Sequence, residues 1–390
     1  MAAAVSLGMT RFAYALLLPP MREDLAWSYT LAGAMNTFNA LGYLLGALIT
    51  PWMLRRWGAA RVLVWGAFFA SALMAATGFL TDTFALLFQR LAAGVVSAAV
   101  FVSGGLLAAR LGMHWPTHSG LLLGLYYGGT GWGIALSAVL VPASLMLMPS
   151  SATVVAHAWT WAWWTLSLLC FVMTALLFSV RHLMNHWMPE LPVALDAPTT
   201  KSDQVRWTLW AAGLLGYGLF GMGYIGYMTF VIALLREQGA SSFERSLFYG
   251  VLGLAVVASS RIWAALLNRY RGGQALAILN TLLSVATLLP AITAAWPMML
   301  LSGVLFGGVF LSVVASTTAM VKHNLPVDQW ATGISAFTVV FAIGQILGPT
   351  VVGLIADGEG GLQRGLVFSA AALMLGAVIA WQQKPLHQTS

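Results

Sequence analysis

Charged side chains are scarce in this 390-residue chain, at 7% of its composition, and acidic ones are missing from the middle of every long apolar run. A sequence that is 60% hydrophobic cannot cover its core in water with so little charge, so an ordinary soluble domain is excluded. The single cysteine, Cys170, excludes an intrachain disulfide, and its apolar neighbourhood reads as that of a packed or lipid-facing thiol. No GxxxxGK[ST] run is present, which leaves no P-loop ATP site. The first apolar run lacks a basic segment before it and carries Arg11 inside it, so it reads as a retained helix and not a cleaved signal peptide. Histidines are missing from deep positions. His114, His118, His182, His186, His323 and His387 lie between runs or in the tail, and His157 lies near a run's end, a poor distribution for a membrane-embedded haem or metal enzyme. No metal or cofactor is expected.

What is present is length without charge. A helix needs about 20 apolar residues to cross a bilayer, and twelve such windows can be laid down: 2–20, 29–51, 59–80, 84–107, 120–141, 159–180, 207–235, 243–267, 275–295, 297–319, 331–356 and 366–381. The mean hydropathy of +0.85 agrees. Arginine and lysine in short loops resist translocation, and they concentrate on one side: Arg55, Arg56, Arg61, Arg110, Arg181, Lys201, Arg206, Arg269, Arg271, Lys322 and Lys384, against Arg22, Arg236, Arg245 and Arg364 on the other. Both termini are therefore expected in the cytosol, in a bacterial inner or plasma membrane. The net charge of +7 is spread over one face and is not the basic stripe of a nucleic-acid binder. The tryptophans, Trp159, Trp161, Trp163 and Trp164 among them, suit interfacial belts.

The one long polar stretch, 181–206, reads as a cytosolic linker between an amino-terminal bundle, 1–180, and a carboxy-terminal bundle, 207–390. A constant offset of 213 residues pairs Gly8, Met9 and Tyr14 with Gly221, Met222 and Tyr227, Gly94 with Gly307, and Leu54, Arg56, Trp57 and Leu63 with Leu267, Arg269, Tyr270 and Leu276. The chain reads as a parallel duplication, giving an all-α integral membrane protein of twelve transmembrane helices in two pseudo-symmetric six-helix bundles.

The runs GMTRFAYALLLPPM, NTFNALGYLLGAL, GYGLFGMGYIGYMTF and FTVVFAIGQILGP resemble the YbfB/YjiJ branch of the major facilitator superfamily, and the resemblance covers essentially the whole chain. Arg90-Leu-Ala-Ala-Gly94 is similar to that superfamily's Arg-x-x-x-Gly motif, and Gly344-Gln-Ile-Leu-Gly348-Pro349 resembles its proline-bent antiporter motif. Arg55-Arg56-Trp57-Gly58 resembles the Asp-Arg-x-Gly loop signature, with Arg55 where the aspartate is usual. The resemblance implies that helices one, four, seven and ten line a central cavity, and that Arg55, Arg56, Gly58, Gly344, Gly348 and Pro349 serve gating.

Arg11 lies about 14 Å into its helix at about 1.5 Å per residue, where insertion scales put an arginine's cost at about 2.5–3.5 kcal/mol. It should therefore face protein, water or a counter-ion. With no deep carboxylate to meet it, a substrate carboxylate, phosphate or sulfonate is the economical partner. The opposing reading is that Arg11 and Arg90 donate to helix carbonyls or reach Glu23 and Asp24, bracing the fold. Arg90 lies closer to its helix end and could snorkel outward. Asn36, Asn39 and Tyr43 form one helical stripe, and Tyr217, Gly221 and Tyr224 another. The expected substrate-binding residues are Arg11, Tyr14, Asn36, Asn39, Arg90, Tyr217, Tyr224, Phe306, Phe310 and Gln345. The same residues admit interhelical bonding and simple packing.

The function expected is secondary active transport of a small organic solute, anionic in character, by alternating access in a monomer. Protons are expected as a coupling partner, travelling with a weak-acid substrate or through Glu23, Asp24 or a tyrosine hydroxyl near Arg11. An exporter of amphiphilic drug-like compounds and a non-transporting membrane sensor are the alternatives.

Overall fold

Helix ends are set by local chemistry. The computed structural model describes residues 1–115, 118–146, 157–181, 183, 207–326 and 329–386. Most of the expected linker, with His182, His186, Lys201 and Arg206, lies outside them. The first span begins as a π-helix, Ala4–Phe12, and continues as α1, Tyr14–Asp24. Then follow α2 (Tyr29–Trp57), α3 (Ala59–Thr77), α4 (Thr83–His114), α5 (Ser119–Met146), α6 (Trp159–Ser179), α7 (Ala211–Glu237), α8 (Ser242–Ile262), α9 (Gln274–Ile292), α10 (Trp296–Asn324), α11 (Trp330–Ala356) and α12 (Gly361–Trp381). No strand occurs among the described residues. Ser28 caps α2 by accepting from the Leu31 amide, Asp82 caps α4 from Ala85, and Ser241 with Glu244 forms a capping box on α8. Gly58 makes the sharp α2–α3 turn at φ +80°, a conformation that a side chain would strain.

Ten of these helices are long and apolar enough on their own to cross a membrane. The first span falls short because it is divided at Ala13, and α8 carries Glu244, Arg245 and Arg261. Several helices run past the expected windows: α2 continues through Pro51 to Trp57, α5 through Pro142, and α4 to His114.

Helices α1–α6 and α7–α12 form two bundles with matching internal contacts: α2 packs on α4 as α8 packs on α10, and α3 on α4 as α9 on α10. The duplication is legible at single residues. A Cβ on Gly94 would lie 2.1 Å from the Asn39 carbonyl, and one on Gly307 would lie 2.3 Å from the Leu252 carbonyl, the same crossing one repeat later. Small residues let these backbones approach where lipid gives no hydrophobic drive. Between the bundles, α2 packs on α11 and α5 on α8, with α1 against α7. Trp159 and Trp163 are buried, unlike belt residues, because Trp159 Nε1 donates to Asp24 and Trp163 Nε1 to Met21 Sδ. Cys170 is a packed thiol against Met9 and Met74.

Candidate functional site

The first span brings two arginines into neighbouring but separate environments. Its π-helical winding, which also lets Thr10 Oγ1 donate to the Val5 carbonyl five residues back, offsets Arg11 from the α-helical register that begins at Tyr14. Arg11 is 3% exposed. Its Nη2 donates to Gln345 Oε1 of α11 at 2.6 Å, its guanidinium lies 5.7 Å from the Tyr43 ring centre, and its Nε has no partner. Gln345 Nε2 donates in turn to Tyr224 Oη of α7 at 2.7 Å. Tyr224 stacks on Phe310 and Phe341 with centroids 5.9 and 5.6 Å apart, and Phe310 meets Phe12 edge-on at 6.0 Å. A cation, a neutral amide and an aromatic wall therefore meet where the bundles face each other.

Arg90 is equally buried, so the outward snorkelling expected of it does not occur. Its Nη1 donates to the Thr10 carbonyl at 3.0 Å and its Nη2 to Asn36 Oδ1 at 2.9 Å, while its guanidinium covers the Tyr14 ring at 4.8 Å. The deep π-helical carbonyl offers a nearer partner than the interface does. Asn36 Nδ2 passes the chain to Thr229 Oγ1 of α7 at 2.8 Å, Asn39 Nδ2 donates to the Arg90 carbonyl, and Tyr14 Oη donates to the Ala32 carbonyl. The expected Asn36–Asn39–Tyr43 stripe is thus divided: the two asparagines serve Arg90, and Tyr43 serves Arg11.

Tyr217 stacks on Phe341 behind Tyr224, and Phe306 stacks on Tyr227 at 4.0 Å, one ring removed from Phe310. Thr229, Phe341, Phe12 and Thr10 belong to the two clusters but escape a reading of the sequence. Phe341 alone left a signal, one helical turn before Gln345. Among the expected gating residues, Arg55 and Arg56 are exposed at the end of α2. Gly344 and Gly348 pack α11 onto α7, where added Cβ atoms would lie 2.1 Å from the Gly218 carbonyl and 2.5 Å from that of Met222. Pro349 lies at the α2–α11 contact, its carbonyl 2.2 Å from where a Cβ on Gly33 would be.

Glu23 and Asp24 do not reach the arginines of the site. Glu23 pairs with Arg236 at 2.6 Å, its own mate at the repeat offset, and Asp24 holds His157 and Trp159. Around this pair Tyr29 Oη donates to Glu237, and Asp357 accepts from the Tyr29 amide at 2.6 Å, the Thr30 amide at 2.8 Å and Thr30 Oγ1 at 2.7 Å. Burial alone would raise the Asp357 carboxyl, but the bonds from Thr30, Tyr29 and Ser28 hold it below the usual carboxylate range. The two bundles are tied at this end, beside a cavity of about 300 Å³ lined by Arg22, Glu23, Tyr29 and Arg236.

Comparisons with known proteins agree with this architecture. A curated Escherichia coli (strain K12) protein, the 3-(3-hydroxy-phenyl)propionate transporter, is 25% identical over 340 residues, covering 84% of this chain and 78% of that protein. A bacterial homologue of the human lysosomal transporter Spinster, in an inward-facing and unoccupied conformation, superposes with a TM-score of 0.70 at 13% identity over 98% of this chain and 96% of its own. The nucleoside transporter NupG superposes with a TM-score of 0.61 at 14% identity over 98% and 100%. These two likenesses concern the fold. The family model described as "Uncharacterised MFS-type transporter YbfB" matches residues 3–381. With the two helical bundles behind it, that match makes the chain a member of the YbfB-type major facilitator family, a multi-pass membrane transporter of small organic solutes and not an enzyme.

Proposed function

We propose that the transported solute is an organic anion, an aromatic or aliphatic carboxylate, and that it moves by alternating access. The observation that carries this reading is Arg11: a guanidinium buried within the first span, paired with a neutral amide and keeping an unpartnered Nε. Such a charge at mid-membrane depth is costly, and an anionic ligand offsets that cost. The Tyr224–Phe310–Phe341 wall beside it suits an apolar body. The substrate in the name of the Escherichia coli relative, a phenyl ring joined to a propionate, has both parts. In this reading Arg11, Gln345, Tyr224 and Phe310 face the solute, Tyr217 and Phe306 back the wall, and Arg90 with Tyr14, Asn36 and Asn39 holds the first span in place.

The moving bodies are residues 1–180 and 207–390, joined by 181–206, in a monomer whose termini are both cytosolic in a bacterial inner or plasma membrane. The tied Glu23 end is then the outer gate, closed. Arg55, Arg56 and Gly58 act at the cytosolic gate, and Gly344, Gly348 and Pro349 let α11 shift on α7. A coupled proton travels alongside the substrate carboxylate and not through Glu23 or Asp24, which are engaged at the far end. Thermal stabilisation of the purified protein across carboxylates, phosphates, sulfonates, sugars and amines tests the reading. Carboxylates stabilise the wild type and lose their effect in Arg11→Gln. Stabilisation by neutral or cationic compounds, unchanged in that variant, overturns it.

A further inference from the structure

We infer that Gln345 is a stand-in ligand: its amide oxygen occupies the place on Arg11 that a substrate carboxylate takes. The inference rests on the anionic reading and adds to it the residue that the substrate must displace. A guanidinium offers parallel N–H pairs that match the two oxygens of a carboxylate. On Arg11 one fork is half filled, with Nη2 bonded to Gln345 Oε1 at 2.6 Å and the adjacent Nε buried without a partner. Here the one amide oxygen meets only one of the two positions, and two carboxylate oxygens can meet both. The amide is held in this orientation by its other end, since Nε2 donates to Tyr224 Oη at 2.7 Å. Arg90 likewise keeps a buried Nε without a partner beside an Nη2 bonded to an amide oxygen. It differs in that both of its terminal nitrogens are taken by acceptors of its own bundle, Thr10 and Asn36, so no acceptor on it comes from the opposite bundle.

Displacing Gln345 has a mechanical consequence. Arg11 belongs to the first bundle and Gln345 to the second, so their bond is a tie between the moving bodies, and substrate binding breaks it at the site itself. The stand-in also lowers the cost of a buried, unliganded guanidinium while the empty carrier reorients.

The test measures the affinity of purified full-length protein for 3-phenylpropionate, with neutral 3-phenylpropanamide as control, in the wild type, Gln345→Met and Gln345→Glu. Methionine keeps the length and removes the competing amide. Binding of 3-phenylpropionate should tighten about tenfold in Gln345→Met, the scale of one hydrogen bond to a charged donor. In Gln345→Glu the new carboxylate fills the fork, so binding should be lost while the melting temperature rises. Wild-type binding with unchanged or weaker binding in Gln345→Met overturns the stand-in and leaves the anionic reading intact. A wild type that binds the amide and not the carboxylate overturns both. Should Gln345→Met fail to fold, retention of wild-type 3-phenylpropionate binding by Gln345→Glu is itself sufficient to overturn the inference.

Discussion

Arg11 and Arg90 are each 3% exposed, lie in the same bundle and are both met by aromatic rings, yet they keep different company. Arg90 spends its terminal nitrogens on a backbone carbonyl and an asparagine of its own bundle, and a second asparagine bonds its carbonyl. Arg11 makes its hydrogen bond across the interface, to one neutral side chain of the partner bundle. Burial and residue type are the same, so neither distinguishes the two arginines. What separates them is whether the acceptors belong to the arginine's own bundle or to the opposite one.

The largest expected effect attacks the brace. Arg90→Leu leaves the Thr10 carbonyl and Asn36 Oδ1 without their donor, and stability should fall by about 2–3 kcal/mol, read as a lower melting temperature. Arg90→Lys should recover only part of this, because an ammonium lacks the planar fork. An Arg90→Leu protein with wild-type stability would erase the distinction drawn between the two residues.

Next is the loss of function at the other arginine. Arg11→Gln should weaken carboxylate binding by roughly tenfold or more, since a charge-assisted bond is worth about 1.5–3 kcal/mol, while the melting temperature stays near that of the wild type. A smaller effect comes from Thr229→Val, which removes the acceptor of Asn36 Nδ2 at about 1 kcal/mol. It should leave carboxylate affinity unchanged, and a change there would mean that the Arg90 cluster also meets the solute.

The smallest effect lies at the tied end. The Asp357 carboxyl is held below its unfolded value, so its bonds to Tyr29 and Thr30 stabilise the fold fully above the ordinary carboxylate pKa of about 4, and this contribution is lost as pH falls through the depressed folded value. The melting temperature of Asp357→Asn should therefore lie below that of the wild type at neutral pH, with the difference shrinking under acid. A gap that persists unchanged in acid would remove the carboxylate's charge from the account of this tie.

Much of the architecture was legible in the order of residues. Long uncharged runs admit one solution in a bilayer, since each backbone amide must be satisfied within its own helix, and the Gly94–Gly307 pair already marked one crossing made twice. The limits of the reading are equally specific. Windows drawn by hydropathy stopped α2 at Pro51, where the helix continues to Trp57, and nothing in the composition disclosed a π-helical first segment. The candidate site was half visible. Arg11, Gln345, Tyr224 and Phe310 carried their own signals as polar or aromatic residues in apolar runs, whereas Thr229 and Thr10 looked like ordinary small helix residues.

By itself the sequence determined that this chain lives in a membrane, that it is built as two related halves, and that positive charge is buried without an acid in the same run, because these follow from the cost of moving charge and bare amides into hydrocarbon. Only the tertiary structure decided which arginine is braced and which faces the partner bundle. Arg11 and Gln345 are 334 residues apart, and no local pattern carries a distance that is set by how two bundles pack.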